Sequence, residues 1–147
     1  MQIELLPSNF NALQKLDDYQ NSLNVSGQSG EYGAMSNFVG TMRDSNEGKN
    51  ILEMFLEHYP GMTEKALEKI VNSAQQQWNL IDTLVLHRVG LVKPNESIVL
   101  VAAWSKHRVD AFEACRYIME QLKSTAPFWK REITQTGHHW VEKNTPG

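Results

Sequence analysis

Two stretches of this 147-residue chain carry apolar side chains at helical spacing, and each lies between short runs rich in β-branched residues. Ala66, Leu67, Ile70, Val71, Ala74 and Trp78 recur every three or four residues, which places them on one stripe of a helix of about four turns. Ala111, Ala114, Cys115, Ile118 and Leu122 form a second such stripe. Pro127 requires that helix to end before Ala126, because the ring of a proline crowds a helical backbone in the preceding residue. A helix with a single apolar stripe buries it against another layer, so the runs around these two helices are read as sheet.

Gln2 to Leu6 reads as a short strand, and Phe10 to Tyr19 as a short helix capped by Ser8 or Asn9. The polar run NVSGQSGEYG then breaks the pattern. Gly33 to Met42 reads as a strand ending at Arg43, followed by a loop, DSNEGKN. In Ile51 to His58, Met54, Leu56 and His58 alternate with Glu53, Phe55 and Glu57, the period of a strand. Pro60-Gly61 marks the turn into the first long helix. Ile81 to Val89 and Ser97 to Trp104 form a hairpin across LVKPNE, where Pro94-Asn95 suits a tight turn. Phe128 to Thr134 and His138 to Glu142 are strands joined across Thr136-Gly137. The order β-α-β-β-α-β-β-α-β-β, with strands next to strands, favours an α+β fold with antiparallel sheets and two long helices over a doubly wound parallel sheet. One domain, 1–147, is expected, since a chain of this length with 41% hydrophobic residues buries a core without disulfides or a structural metal.

The single Cys115 lies on an apolar stripe and reads as a core thiol. MQIELLPSNF has neither a basic leader nor a long apolar run, so a reducing cytosol is the expected setting. No run approaches the ~20 apolar residues of a membrane span. A net charge of −3 argues against a general nucleic-acid binder. Local charge is more informative. Trp104 to Glu132 holds six cations against four anions, a positive segment on a negative chain, which suits a small anionic ligand.

His107 and Arg108 open the second long helix, where free N–H groups and the positive dipole end favour an anion; a solvated cap is the plain alternative. Lys123 stands at the far end of that helix, with Met119 one turn before it as a pocket wall or a core filler. Alternation puts Phe128, Lys130 and Glu132 on one strand face. Exposed lysines usually only solubilise, but rigid Pro127, Phe128 and Trp129 surround this one. Desolvation and nearby Arg131 would lower its pKa, preparing an amine for acid–base or nucleophilic work near neutral pH. In NFVGTMR, Gly40 leaves a strand position open to close approach, and Arg43 is placed to clamp a phosphate. The histidines are scattered, without metal-ligand spacing, and no cofactor motif is present.

The segments NFVGTMR, LEHYPGMTEKAL, HRVG, HRVDAFEACRYIMEQLK, PFWKRE and HHWVE occur in the order and approximate spacing of the large subunit of molybdopterin synthase, which the chain resembles from about Gly33 to Glu142. The resemblance implies an α/β hammerhead fold and a central homodimer with a small ubiquitin-like sulfur-carrier subunit at each end, a heterotetramer. It implies conversion of cyclic pyranopterin monophosphate to molybdopterin, with sulfur arriving as a thiocarboxylate on the carrier's C-terminal Gly-Gly. Lys123 matches the family's catalytic lysine and Lys130 its second pocket lysine. Arg43, His107 and Arg108 match residues associated with the substrate's anionic part, and Phe38, Met119 and Glu132 match other pocket positions.

A helix running from 107 to 123 separates His107 from Lys123 by about 24 Å, too far for one pterin. The site is therefore expected to be composite, with Lys123, Lys130 and Arg43 of one protomer meeting His107 and Arg108 of its mate. Two rival readings are a non-catalytic adaptor that binds a ubiquitin-like tail near Phe128-Trp129, and a phosphometabolite enzyme that needs no protein partner.

Overall fold

The computed structural model of the chain describes residues 1–141. Its strands are β1 (Gln2–Leu6), β2 (Ala34–Thr41), β3 (Ser45–Asn46), β4 (Lys49–Asn50), β5 (Glu53–His58), β6 (Leu80–Arg88), β7 (Gly90–Val92), β8 (Ser97–Ser105), β9 (Phe128–Thr134) and β10 (Gly137–Trp140). Three helices, α1 (Ala12–Leu23), α2 (Met62–Gln77) and α3 (Arg108–Thr125), interrupt them. The result is a mixed α/β fold with two four-stranded sheets, β1-β6-β8-β2 and β10-β9-β5-β7, and a small β3-β4 ribbon.

The first sheet is covered on both faces, which explains why its central strands are almost uninterruptedly apolar. On β8, Val99, Val101 and Ala103 face α2 and α3, where they meet Leu67, Ile70, Ala114, Ile118 and Leu122. The alternate residues Leu100, Ala102 and Trp104 face α1 and pack with Phe10, Ala12 and Leu23. Trp104 is fully buried, and its indole N–H donates to Gln20 Oε1 at 3.0 Å, so α1 satisfies the group that the core would otherwise strand. The second sheet has a smaller core of Met54, Leu56 and Val92 with Met42 and Ile51.

Several boundaries differ from those read in the sequence. The first helix starts at Ala12 because Asn11, not Ser8 or Asn9, accepts from the Gln14 N–H; Phe10 precedes the helix as a buried anchor. The helix continues to Leu23, because that residue is buried against the sheet, and then into a wider turn over Asn24–Gln28 that ends where Gly27 takes a positive φ. Strand β1 lies parallel to β6, so the sheets are not purely antiparallel. The hairpin of β6 and β8 forms as expected, but its connection includes β7, which pairs with β5 in the other sheet. DSNEGKN is not only a loop: Glu47 and Gly48, both at positive φ, close the β3-β4 ribbon as a two-residue hairpin turn requires. The last strand was expected to reach Glu142, which lies outside the described residues.

Two local features position the site. Strand β2 has an irregularity between Gly40 and Thr41, after which Met42 pairs with the β7–β8 turn through Met42 N to Glu96 O at 2.9 Å and Asn95 N to Met42 O at 2.8 Å. This bulge turns the chain so that Arg43 leaves the first sheet toward the second. At the other side, buried Thr63 ties the start of α2 to the approach of β9: its hydroxyl donates to Pro127 O at 3.0 Å and accepts from Tyr59 N at 3.0 Å.

Candidate active site

A cavity of about 350 Å³ opens between the two sheets at the end of α3. Phe38, Gly40, Met42, Ile51, Met54, Ile98 and Val99 form its apolar walls, and Arg43, Lys123, Lys130 and Glu132 its charged ones, with Thr41, Ser45, Asn46 and Val141 completing the lining. Three cations against one carboxylate make an anion-seeking pocket with room for a flat ring system.

Strand period explains how β9 contributes two of these groups. Lys130 and Glu132 point inward beside Leu56 and Met54, their register partners on β5. Arg131, between them, points the other way and stacks over Phe55 and Trp140, its guanidinium carbon 5.1 and 5.7 Å from the two ring centroids. The amine at Lys130 is lowered to about 8, first by burial and then by the charge and hydrogen bonding of Lys123, with Arg43 adding to the effect and Glu132 opposing it. The perturbing cation is thus Lys123 rather than the expected Arg131, because adjacent strand residues face opposite sides. Lys130 is thereby poised to lose its proton little above neutral pH.

Of the eight residues picked out in the sequence, Phe38, Arg43, Lys123, Lys130 and Glu132 line this one cavity. Three do not. Met119 is buried in the core between α3 and the first sheet. His107 caps the start of α3 with an extended backbone (φ −119, ψ 149), and Arg108 follows it; both are exposed at the end of α3 opposite Lys123.

The match to known proteins rests on most of the chain. A family model described as MoaE protein aligns with residues 12–125. The chain belongs to the MoaE family. It is similar to the molybdopterin synthase catalytic subunit of Ralstonia nicotianae, with 58% identity over 112 residues, 76% of this chain. The aligned part spans 64% of that relative's own length. Among solved structures it is similar to molybdopterin synthase from Staphylococcus aureus, with a TM-score of 0.83, 28% identity, and 97% of this chain and 99% of that chain covered. It also shares its fold with a chain in the complex of subunits 1 and 2 of molybdopterin-converting factor from Helicobacter pylori 26695, with a TM-score of 0.80, 21% identity, and coverage of 97% and 92%.

In this MoaE-family chain the sequence pattern does not single out Asn46, which lines the cavity, or His87, which lies behind it. Asn46 sat in what read as a polar loop, yet its amide donates to Glu132 Oε1 at 2.6 Å. His87 is one of the chain's scattered histidines. It is buried, stacks on Phe128 with ring centroids 3.9 Å apart and planes 13° apart, and lies close enough to Lys123 and Lys130 to feel their charge. Its Nδ1 lies 2.7 Å from Arg88 O; a carbonyl only accepts, so Nδ1 carries the hydrogen. Burial, aided by the two lysines, pushes this imidazole down to about 3, leaving a neutral ring under the start of β9. The period of β6, which aligns His87 with core-facing Val85, was the available signal. Cys115 is buried, with its thiol pushed up by burial and its Sγ 3.7 Å from Val101 O. Among the described residues, no helix is long and apolar enough to cross a membrane, and no group of three or more His, Cys, Asp or Glu is arranged to hold a metal.

Proposed function

We infer that this chain is the catalytic subunit of a molybdopterin synthase, a sulfurtransferase that converts cyclic pyranopterin monophosphate to molybdopterin with sulfur from the thiocarboxylated C-terminus of a small ubiquitin-like carrier. The observation that carries the reading is the Lys123–Lys130 pair, with Lys130 lowered to about 8 inside a cationic cavity of a MoaE-family chain. The thiocarboxylate is itself a nucleophile, so the cavity has to position it, neutralise the phosphate and move protons. Arg43 and the lysines suit the phosphate, and the apolar walls around Phe38 and Val99 suit the pterin face. Lys123 is assigned as the principal acid–base group in contact with the carrier's carbonyl, and Lys130 as its partner in charge and proton exchange. We read the paired sheets as the hammerhead arrangement of the family and the setting as cytosolic.

Because α3 is 18 residues long, His107 and Arg108 are about 24 Å from Lys123 and serve another copy of the site. The assembly that follows is a homodimer with a carrier at each end, in which each pocket borrows His107 and Arg108 from the neighbouring protomer. The test is to incubate purified chain with cyclic pyranopterin monophosphate and thiocarboxylated carrier, and to assay the dithiolene product. Turnover that needs the carrier and is lost in Lys123→Ala supports the reading. Carrier binding without turnover would leave an adaptor, and turnover without carrier a phosphometabolite enzyme. Heterodimers of Lys123→Ala with His107→Ala are expected to recover partial activity, and failure to do so would rule out sharing.

A further inference from the structure

Glu132 is a buried carboxylate, 8% exposed, on the same strand face as Lys130 and within range of its charge. Left to itself, such a group collapses onto the nearest ammonium, because a desolvated charge seeks the closest counter-charge. In this cavity its Oε1 is taken up by Asn46, whose amide Nδ2 donates across 2.6 Å from a position 86 residues away in sequence. Asn46 is held there by its ribbon. Glu47 and Gly48 close the turn at φ 51 and 77, Asn46 pairs with Lys49, and Ile51 N donates to Asp44 O at 2.8 Å across the ribbon's base. Ser45 and Asn46 both line the cavity, so the ribbon forms one of its walls.

We propose that Asn46 is a positioning residue for the sulfur-transfer site: its amide holds Glu132 to the Ser45–Asn50 ribbon, and so sets how closely that carboxylate pairs with Lys130. Without the amide, Glu132 turns its free lone pairs toward Lys130 and stabilises the ammonium form. The amine that must shed a proton near neutral pH is then held protonated. The same bond fixes the ribbon wall against which the pterin would rest. Asn46 touches no reacting atom; it acts through Glu132.

The inference rests on the reading of the cavity as the sulfur-transfer site, and its test separates the two. The titration of the Lys130 amine is followed by NMR on isotopically labelled full-length chain without substrate, with Lys130→Met assigning the signal. Asn46→Ala is expected to raise the Lys130 midpoint by about one pH unit, and Asn46→Asp, which adds a second carboxylate, by more. Asn46→Gln, which keeps an amide donor, is expected to return it toward the wild-type value. With carrier and pterin supplied, Asn46→Ala is expected to move the acidic limb of kcat upward by the same amount, lowering kcat at pH 7 about tenfold. A Lys130 midpoint that does not move in Asn46→Ala and Asn46→Asp overturns the proposal, even if the variants lose thermal stability. A shifted midpoint in a chain that performs no sulfur transfer upholds the Asn46–Glu132–Lys130 coupling and defeats the proposed function instead.

Discussion

Replacing Lys130 by methionine is expected to stabilise the protein while abolishing its activity. Methionine keeps the length and apolar stem of lysine and removes only the ammonium. The difference between an ordinary lysine at 10.5 and this one at about 8 corresponds to roughly 3 kcal/mol spent on holding a cation in a buried site beside Lys123 and Arg43. Solvent at the cavity mouth screens part of this, leaving about 2 kcal/mol. Folding lowers the pKa, so between about pH 8 and 10.5 the unfolded chain binds more protons than the folded one, and wild-type stability rises with pH through that window. The cost is fully present below about pH 8 and absent above 10.5. Thermal unfolding followed by circular dichroism is expected to show Lys130→Met melting about 4–8 °C above wild type at pH 7. The gap is expected to close as the pH approaches 10.5. A variant no more stable than wild type at pH 7, or a gap that persists unchanged to pH 10.5, would refute the claim that Lys130 is a strained cation. The expected pattern, stability gained where function is lost, is that of a site whose strain serves its chemistry.

Two further outcomes follow from the same geometry. His87, at about 3 in the folded protein against 6.5 unfolded, contributes stability that is intact above pH 6.5 and declines by about 1.4 kcal/mol per pH unit on acidification through that window; denaturant titrations of wild type and His87→Gln between pH 4 and 7 are expected to differ by that slope, and parallel curves would contradict a buried neutral imidazole. At Gly40 an added Cβ would sit 3.0 Å from Val99 Cγ1 and 3.3 Å from Phe38 Cε1. Val99 is buried and cannot yield, whereas the half-exposed Phe38 ring can swing into the cavity, so Gly40→Ala is expected to cost about 1 kcal/mol and raise KM for the pterin severalfold. An unchanged melting temperature together with an unchanged KM would show that the wall has slack there.

Much of the site was readable because its components sit on regular elements. Strand period put Lys130 and Glu132 on one face whatever the rest of the molecule did, and helix rise separated His107 from Lys123 as soon as the helix was recognised. Pro127 set the end of α3, since its effect on the preceding residue is local. The α+β order likewise followed from where the apolar period changes, and the motifs in that order marked the family.

What tertiary structure alone decided are the relations between residues distant in sequence. The lysine that depresses Lys130 is Lys123, not neighbouring Arg131, because the sheet turns Arg131 outward while the end of α3 packs inward. Asn46 meets Glu132, and His87 slides under Phe128, only when β3 of the ribbon, β6 of the first sheet and β9 of the second are brought together. Local propensity carries no information about such pairings, since the burial and cross-strand register that create them are properties of the packed whole. The sequence by itself determined which side chains carry charge and on which face of their own element they lie; the packing of the two sheets decided which of those charges face one another, and hence which amine is ready to give up its proton.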